Sequence, residues 1–407
     1  MPKPTSVCRA TERKHLWPMV RLGDVCEVVL GGTPKTGITE YWDGDIPWLT
    51  PGDMGKITQM YVDASNCKRK ISQLGLDNGS TLCPARSVIL STRAPIGYAF
   101  VNSVPMATNQ GCKTLVPSDD VYPEYLCFNL LGRTDELNEL GTGTTFKELA
   151  TGRLKAMPLP LPPLSIQREI VARLERELAA VEKIKKGFEA LAETAKAEFK
   201  AELKEVFEEI SRGGAETRRL GDVCKVQRGG SPRPIKDYIT DSTEGLNWIK
   251  IGDVEPAGKY ITQTVEKIKA SGLNKTRKVS AGDFLLSNSM SFGRPYILKI
   301  DGCIHDGWLV LKGFSKTFTE DFFYYLLRSP IVQEQFDKLA HGSTVRNLNT
   351  DVVSRVSLPL PPLAVQREVV ARLDAAKARA GKLELKAREG VAACETMRKA
   401  ILKEAFE

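Results

Sequence analysis

Histidine is nearly absent, with His15, His305 and His341 the only three in a chain of 407 residues. The nine cysteines stand at 8, 26, 67, 83, 112, 127, 224, 303 and 394, and no two share C-x-x-C spacing. This excludes a zinc site built from a local motif and points to reduced, mostly buried thiols. No apolar run approaches the roughly 20 residues that span a bilayer. The opening MPKPTSVCRATERKHLWPMV lacks the apolar stretch of a signal peptide, so a cytoplasmic protein without membrane attachment is expected. There is no G-x-x-x-x-G-K-S/T loop to cradle nucleotide phosphates. Nor is there an Asn/Asp-Pro-Pro-aromatic motif of an amino-methyltransferase, since the Pro-Pro pairs at 162–163 and 361–362 follow leucine. No catalytic constellation emerges, and any chemistry is expected in partner proteins.

What is present is present twice. LPLPPLSIQREIVARL at 159–174 returns as LPLPPLAVQREVVARL at 358–373. RLGDVCEVVLGGTP (21–34) returns as RLGDVCKVQRGGSP (219–232), and IPWLTPGDM (46–54) as LNWIKIGDV (246–254). ARSVILSTRAPIG (85–97) matches AGDFLLSNSMSFG (281–293), and GTGTTFKEL (141–149) matches AHGSTVRNL (340–348). The order never changes and the offset stays between 196 and 200, which is the size of a domain plus a connector. The chain reads as a tandem duplication.

Each half has three parts. The first mixes short β-rich runs (VCEVVL, IPWLT, SVILS, DFLLS, WLVLK) with Gly-Gly turns at 31–34 and 229–232. Two apolar-striped segments, PEYLCFNLL (123–131) and EDFFYYLLRS (320–329), read as helices. The expected class is an α/β or α+β domain, in tandem duplicate. The second part, LPLPPL, is a proline-stiffened extended strut that delivers the chain to a helix start. Ser165 fits that start as an N-cap, with Ala364 a weaker equivalent.

The third part is a long helix, from 165 to about 209 and again from 364 to 406. Apolar residues recur in steps of three and four, through Val365, Val369, Leu373, Ala376 and Ala380 and on to Cys394, Met397 and Ile401, with Gly390 interrupting. That is a coiled-coil seam, and 44 residues make a rod of about 65 Å. Two seams in one chain bury most simply against each other, antiparallel if the repeats are related by a pseudo-twofold axis. The alternative is that each seam lies on its own domain. The expected division is 1–157 and 213–356 for the domains, with 158–212 and 357–407 for the struts and helices.

Charge is moderately basic, at net +8. Residues 165–210 hold 9 Lys/Arg against 11 Asp/Glu, and 364–407 hold 10 against 7, so nearly all of the surplus lies on the domains. That sign suits a nucleic-acid partner without proving one.

This arrangement resembles the specificity subunit of type I restriction-modification systems over nearly all of the chain. The residues that carry the likeness are VRLGDVCEVVLGGTP…YWDGDIPWLTPGDM (20–54), ISQLGLDNGSTLCPARSVILSTRAPIG (71–97), TNQGC (108–112), and GTGTTFKEL followed by MPLPLPPLSIQREIVARL (141–174). The second half departs where CIHDGW (303–308) replaces TNQGC. The resemblance implies two target recognition domains, each reading half of a bipartite duplex DNA sequence. It further implies that the helices act as a ruler and docking surface for two methyltransferase subunits, with restriction or motor subunits joining them. No cofactor is expected on this chain, and S-adenosylmethionine, ATP and Mg are expected on the partners. Two rivals stay open: a self-sufficient DNA methyltransferase or nuclease, and a coiled-coil scaffold that reads no DNA.

Candidate DNA-binding residues follow from residue type and position. Lys35, Thr36, Arg233 and Lys236 sit in the turn-rich segments, where Arg and Lys grip phosphates or guanine edges and a plain solvated turn is the alternative. Thr142, Thr144, Thr145 and Lys147, with Ser343, Thr344, Arg346 and Asn347, combine hydroxyls, small residues and one basic group suited to phosphate. A structural turn is the alternative there. Thr92 and Arg93, with Asn288 and Ser289, follow a strand where a loop could meet a groove. Asn109 and Gln110 could read adenine, but a structural amide is the stronger reading, and Trp48 and Trp248 read as core.

Overall fold

A computed structural model describes residues 17–143, 147–255, 258–288, 293–340 and 348–406. The chain divides into two compact units, Met1–Glu189 with Glu389–Glu407, and Ala190–Arg388. Each unit therefore holds one globular domain and a stretch of both long helices.

In the first unit a five-stranded sheet has the order Cys26–Leu30, Cys112–Pro117, Val88–Ser91, Ala99–Asn102, Tyr61–Val62. Its pairs are antiparallel except the last, where Tyr61 lies parallel beside Val101. A four-stranded sheet follows the order Arg69–Ile71, Trp42–Leu49, Met106–Thr108, Leu82–Cys83. Val88–Ser91 and Ala99–Asn102 are buried along their whole length, because both faces of their sheet are covered. Val88, Leu90, Ala99 and Val101 pack on the helix Pro123–Gly132. Ile89 and Phe100, at the alternate positions, pack with Leu49 and Met106 of the second sheet.

The second unit repeats this order strand for strand. Lys225–Arg228, Trp308–Lys312, Phe284–Ser287, Pro295–Leu298 and Tyr260–Ile261 form its five-stranded sheet. Its other sheet gains one strand, Ile239–Thr240, at the edge. Phe284 and Leu286 face the helix Glu320–Arg328, while Leu285 faces the other sheet. The α+β class and the duplication expected from sequence are both present.

The proline strut is a strand. Pro158–Pro160 pairs antiparallel with Met19–Arg21, and Ser357–Leu360 with Glu216–Arg219. Such two-stranded ribbons tolerate proline because each strand has a free edge. The helix after the first strut runs Leu164–Arg212, one residue earlier than the expected Ser165 cap. Ile166 and Gln167 both donate their backbone N–H to Pro163 O, which puts Ser165 within the first turn. The start is secured by Gln167, fully buried four residues after Pro163. Its Nε2 donates to Pro162 O and Asp120 O, both at 2.8 Å, and its Oε1 accepts from Tyr122 N at 2.7 Å. Gln366 repeats the clamp at the helix Leu363–Phe406, donating to Pro361 O and Thr317 O and accepting from Thr319 N.

Within each unit the two helices run antiparallel. In the first, Lys185 pairs with Glu395 at 2.5 Å and Phe188 lies against Gly390. In the second, Arg372 bridges Glu202 at 2.5 Å and Glu209 at 2.8 Å. The seam follows the expected steps at Val369, Leu373, Ala376, Ala380 and Cys394, all buried, but Met397 is half exposed. Leu402 and Ala405 are buried in its place, because the last turns pack on the domain as well as on the partner helix. Gly132 admits that approach, since a Cβ there would sit 2.7 Å from Leu402 O. Gly390 does not interrupt the helix; it is a socket, where a Cβ would lie 2.5 Å from the Phe188 ring. Among the described residues no helix is long and apolar enough to cross a membrane.

Two stability predictions follow. Gln167→Leu strands buried backbone groups and is expected to cost about 2–4 kcal/mol by chemical denaturation, with Gln366→Leu alike; a loss under 0.5 kcal/mol would reduce the clamp to an incidental contact. At an open helical position Gly→Ala gains roughly 1 kcal/mol. Gly390→Ala should therefore gain stability only in a Phe188→Ala background, and an equal gain in both backgrounds would remove the socket.

Candidate nucleic-acid interface

Four chain segments meet at one place in the first domain: the Gly31–Thr36 turn, Asn109–Gly111, Thr92–Arg93, and Thr142 with Lys147–Leu149. Backbone bonds tie them together. Gly32 N donates to Thr108 O, Thr92 N to Gly111 O, and Leu149 N to Thr92 O, all at 2.8 Å. The glycines are required by close approach, since a Cβ on Gly31 would lie 2.0 Å from Asn109 O. Around this node the side chains sort themselves. Trp48 donates Nε1–H to Gly32 O at 3.0 Å and Trp42 to Lys35 O at 3.3 Å, so buried indoles hold the turn. Lys35 and Thr36 themselves are exposed.

Thr92 is buried, as is Lys113, whose Nζ donates to Leu149 O at 2.7 Å and to the Thr92 hydroxyl at 3.2 Å. Burial holds the Lys113 ammonium below its ordinary pKa, with nearby Glu148 acting the other way. Arg93 is exposed and pairs with Glu148 at 3.0 Å, and Thr142 bridges the same glutamate through the backbone. Lys147 and Thr142 are exposed. Asn109 Oδ1 accepts from Gly111 N at 2.9 Å, a structural amide, whereas Gln110 is exposed and accepts from the Thr33 hydroxyl.

The second domain has the same wiring. Gly230 N donates to Ile304 O, Asn288 N to Gly307 O, and Leu348 N to Asn288 O. A Cβ on Gly229 would lie 2.1 Å from His305 O. Asp306 takes the place of Gln110, with Oδ1 accepting from Ser231 Oγ at 2.7 Å. That hydrogen bond holds the Asp306 carboxyl below its usual range against the opposing effect of burial. Arg233 is exposed 3.6 Å from Asp306, and Lys236 is exposed in the short turn Ile235–Asp237. Asn288 is buried and donates Nδ2–H to Asp306 O at 2.8 Å.

The candidates that lie in the described residues gather around one node per domain. Lys35, Thr36, Arg93, Thr142, Lys147, Arg233 and Lys236 are solvent-facing, while Thr92 and Asn288 are packed inside as braces. Thr144, Thr145, Ser289, Ser343, Thr344, Arg346 and Asn347 lie outside the described residues. Sequence reasoning missed a basic rim. Arg69 lies 3.4 Å over the Trp42 ring. Lys275 donates to Tyr238 OH at 2.6 Å and Lys269 to Asp237 O at 2.7 Å, both on the Arg233–Tyr238 turn, and Arg277 donates to Arg228 O at 3.4 Å. The runs CKRK (67–70) and NKTRK (274–278) carried that signal as clustered charge. Among the described residues no group of His, Cys, Asp and Glu could hold a metal ion.

The sequence family described as Type I restriction modification DNA specificity domain matches residues 14–190 and 213–388. The Methanocaldococcus jannaschii type I restriction enzyme MjaIX specificity subunit is 34% identical over 243 residues, 56% of this chain and 56% of that protein. The chain thus spans about half the length of that relative. The Escherichia coli EcoBI specificity subunit is 24% identical over 97% of this chain and 80% of its own. Among solved structures, a chain from work on complex assembly and conformational transition of the type I R-M system aligns with TM-score 0.70 at 22% identity, covering 96% of this chain and 97% of that one. The HsdS subunit from Thermoanaerobacter tengcongensis aligns with TM-score 0.53, also at 22% identity, over 96% of each chain. These two likenesses establish the fold.

The braces and the solvent-facing candidates should separate experimentally. Lys113→Met leaves Leu149 O and the Thr92 hydroxyl without their donor and is expected to cost about 1–3 kcal/mol. Arg93→Ala, on an exposed pair, is expected to cost less than about 1 kcal/mol. Denaturant unfolding measures both, and the reverse order would sink the assignment.

Proposed function

Because the chain belongs to the type I restriction modification DNA specificity domain family, we propose that it is the DNA-reading subunit of such a system, each half recognising one part of a bipartite duplex target. One observation carries this reading: the same four-segment node occurs once per domain, wired identically through the backbone but with different side chains at equivalent positions. Gln110 stands where Asp306 stands, each bonded to the hydroxyl of the matching turn, Thr33 or Ser231. Two readers built on one frame can read two different words.

Exposed Lys35, Lys147, Arg233 and Lys236 would neutralise phosphates and set affinity, while Arg93, Gln110 and the hydroxyls offer groups to base edges. The candidates in 343–347 belong to the same proposal. The long helices would hold the readers at a set separation and dock two methyltransferase subunits. Methyl transfer from S-adenosylmethionine, and ATP- and Mg-dependent cleavage by motor subunits, would then be partner chemistry in the cytoplasm.

The test is to express the chain with its methyltransferase partner and sequence the methylated DNA of the host. An asymmetric bipartite motif with a fixed unread gap is expected. Exchanging residues 20–157 for those of a relative should change only one half of it. A continuous palindrome would overturn the reading. Methyl transfer by the purified chain alone would favour a self-sufficient enzyme, and absence of any sequence preference would favour a scaffold.

A further inference from the structure

Each domain has a cleft where its β-sheet edge, its apolar helix and the first turns of its long helix come together, and the two clefts differ in charge. The internal repeat sets the equivalences. Ser91 N donates to Tyr98 O, and Ser287 N to Arg294 O, so Tyr98 matches Arg294. Leu126 N donates to Tyr122 O, and Phe323 N to Thr319 O, so Cys127 matches Tyr324 and Leu131 matches Arg328. The two glutamine clamps align Leu178 with Lys377. Tyr61 pairs with Val101 as Tyr260 pairs with Ile297, so Met60 matches Lys259. At four equivalent positions a neutral side chain of the first cleft is therefore a cation in the second.

The cations of the second cleft converge. Lys259 Nζ, the Arg328 guanidinium and Lys377 Nζ lie 5.0, 5.4 and 5.8 Å from the centre of the buried Tyr324 ring. Arg328 donates to Tyr324 OH at 2.7 Å. Arg294 and Arg328 both line the adjoining opening of 390 Å³, with Tyr296 and Gln333. Lys259 is neutralised by Asp321. Among the described residues no carboxylate forms an ion pair with Arg294, Arg328 or Lys377. Desolvation of its ammonium end first, then the charges of Arg328 and Lys259, hold Lys377 below its ordinary pKa, with Asp374 acting the other way. Four cations gathered around two carboxylates, Asp321 and Asp374, leave a surplus of positive charge that favours a bound anion.

Position says which anion. In sequence, Gly293 and Arg294 follow the segment that holds the candidate Ser289, and Gln333 Nε2 donates to Gly293 O at 2.8 Å. Gln333 belongs to the helix Pro330–Ala340, which leads in sequence into 341–347, another such segment. We propose that Arg294, Arg328 and Lys377 anchor a backbone phosphate of the duplex beside the half-site read by the second domain, an anchor that the first domain lacks. This rests on the DNA-reading function proposed above. Arginine's planar fork suits a phosphate's oxygens, and lysine adds a point charge.

The test uses the complex of this chain with its methyltransferase partner and a duplex bearing its recognised sequence. Binding is measured across a salt series for wild type, Lys377→Gln, Arg294→Gln and the double variant, with exposed Lys56→Gln as control. The double variant is expected to lose about tenfold in affinity and to lower the slope of log affinity against log salt by about 1–2. The methylated sequence should stay unchanged. Neutral methylphosphonates placed singly along the duplex should weaken wild type at a position flanking the second half-site and leave the double variant unaffected there. Arg294 and Lys377 are exposed, so thermal melting of each variant should match wild type. An unchanged slope and affinity would overturn the anchor, as would an altered methylated sequence, which would mark base reading instead. A wild-type complex with no sequence-specific binding would overturn the proposed function itself, and the anchor with it.

Discussion

A buried primary amide sets the geometry of each domain on its helix. Gln167 and Gln366 are shut off from water, and every partner of their amides is a main-chain atom. An amide so placed is costly unless all its groups are satisfied. The three bonds tie the carbonyl of the proline strut to the loop that opens the domain's own helix. Pro162 and Pro361 have no N–H, so each can offer the amide only a carbonyl. Fixed backbone partners leave the helix one direction of departure from its domain.

One strand carries that geometry to the candidate interface. Cys112–Pro117 begins at Gly111, inside the node, and ends just before Asp120 and Tyr122, which the Gln167 clamp holds. Trp308–Lys312 likewise begins after Gly307 and leads to Thr317 and Thr319 beneath Gln366. Both strands sit inside their sheets, paired on each edge. A strand bonded on both sides and packed on both faces has little freedom to slide or twist. The position of the loops is thereby referred to the helix axis over a few residues, within each unit separately.

Much of this was legible in the sequence, for physical reasons. Strands buried on two faces read as unbroken apolar runs, and long helices announce themselves by periodicity, so VILS, WLVLK and the two seams were visible at once. The node was visible as residue types but not as a node, because its coherence lies in backbone bonds between segments up to 80 positions apart, and main-chain bonds leave no mark on side-chain identity. Thr92 and Asn288 looked like interface residues because a polar side chain after a strand reads alike whether it faces water or braces a turn. Gln167 passed unnoticed since a glutamine in a charge-rich helix resembles its solvated neighbours. Gly390 looked like a break because sequence cannot show that a phenylalanine 202 positions earlier fills the space its missing Cβ leaves.

The division of labour between backbone and side chain explains how one frame can carry two different surfaces. The main-chain bonds at the node are the same in both halves, and they do not constrain the side chains that point outward from it. Gln110 can become Asp306, and Leu131 can become Arg328, without disturbing the Gly111 or Gly307 carbonyl that the next loop needs. The paired glycines, Trp48 with Trp248 and the clamping glutamines are kept in both halves, whereas the buried braces Thr92 and Lys113 are replaced by Asn288 and Leu309. Change at the outward positions therefore costs little stability and can alter what is bound, whereas change at the inward ones is paid in fold before it reaches function.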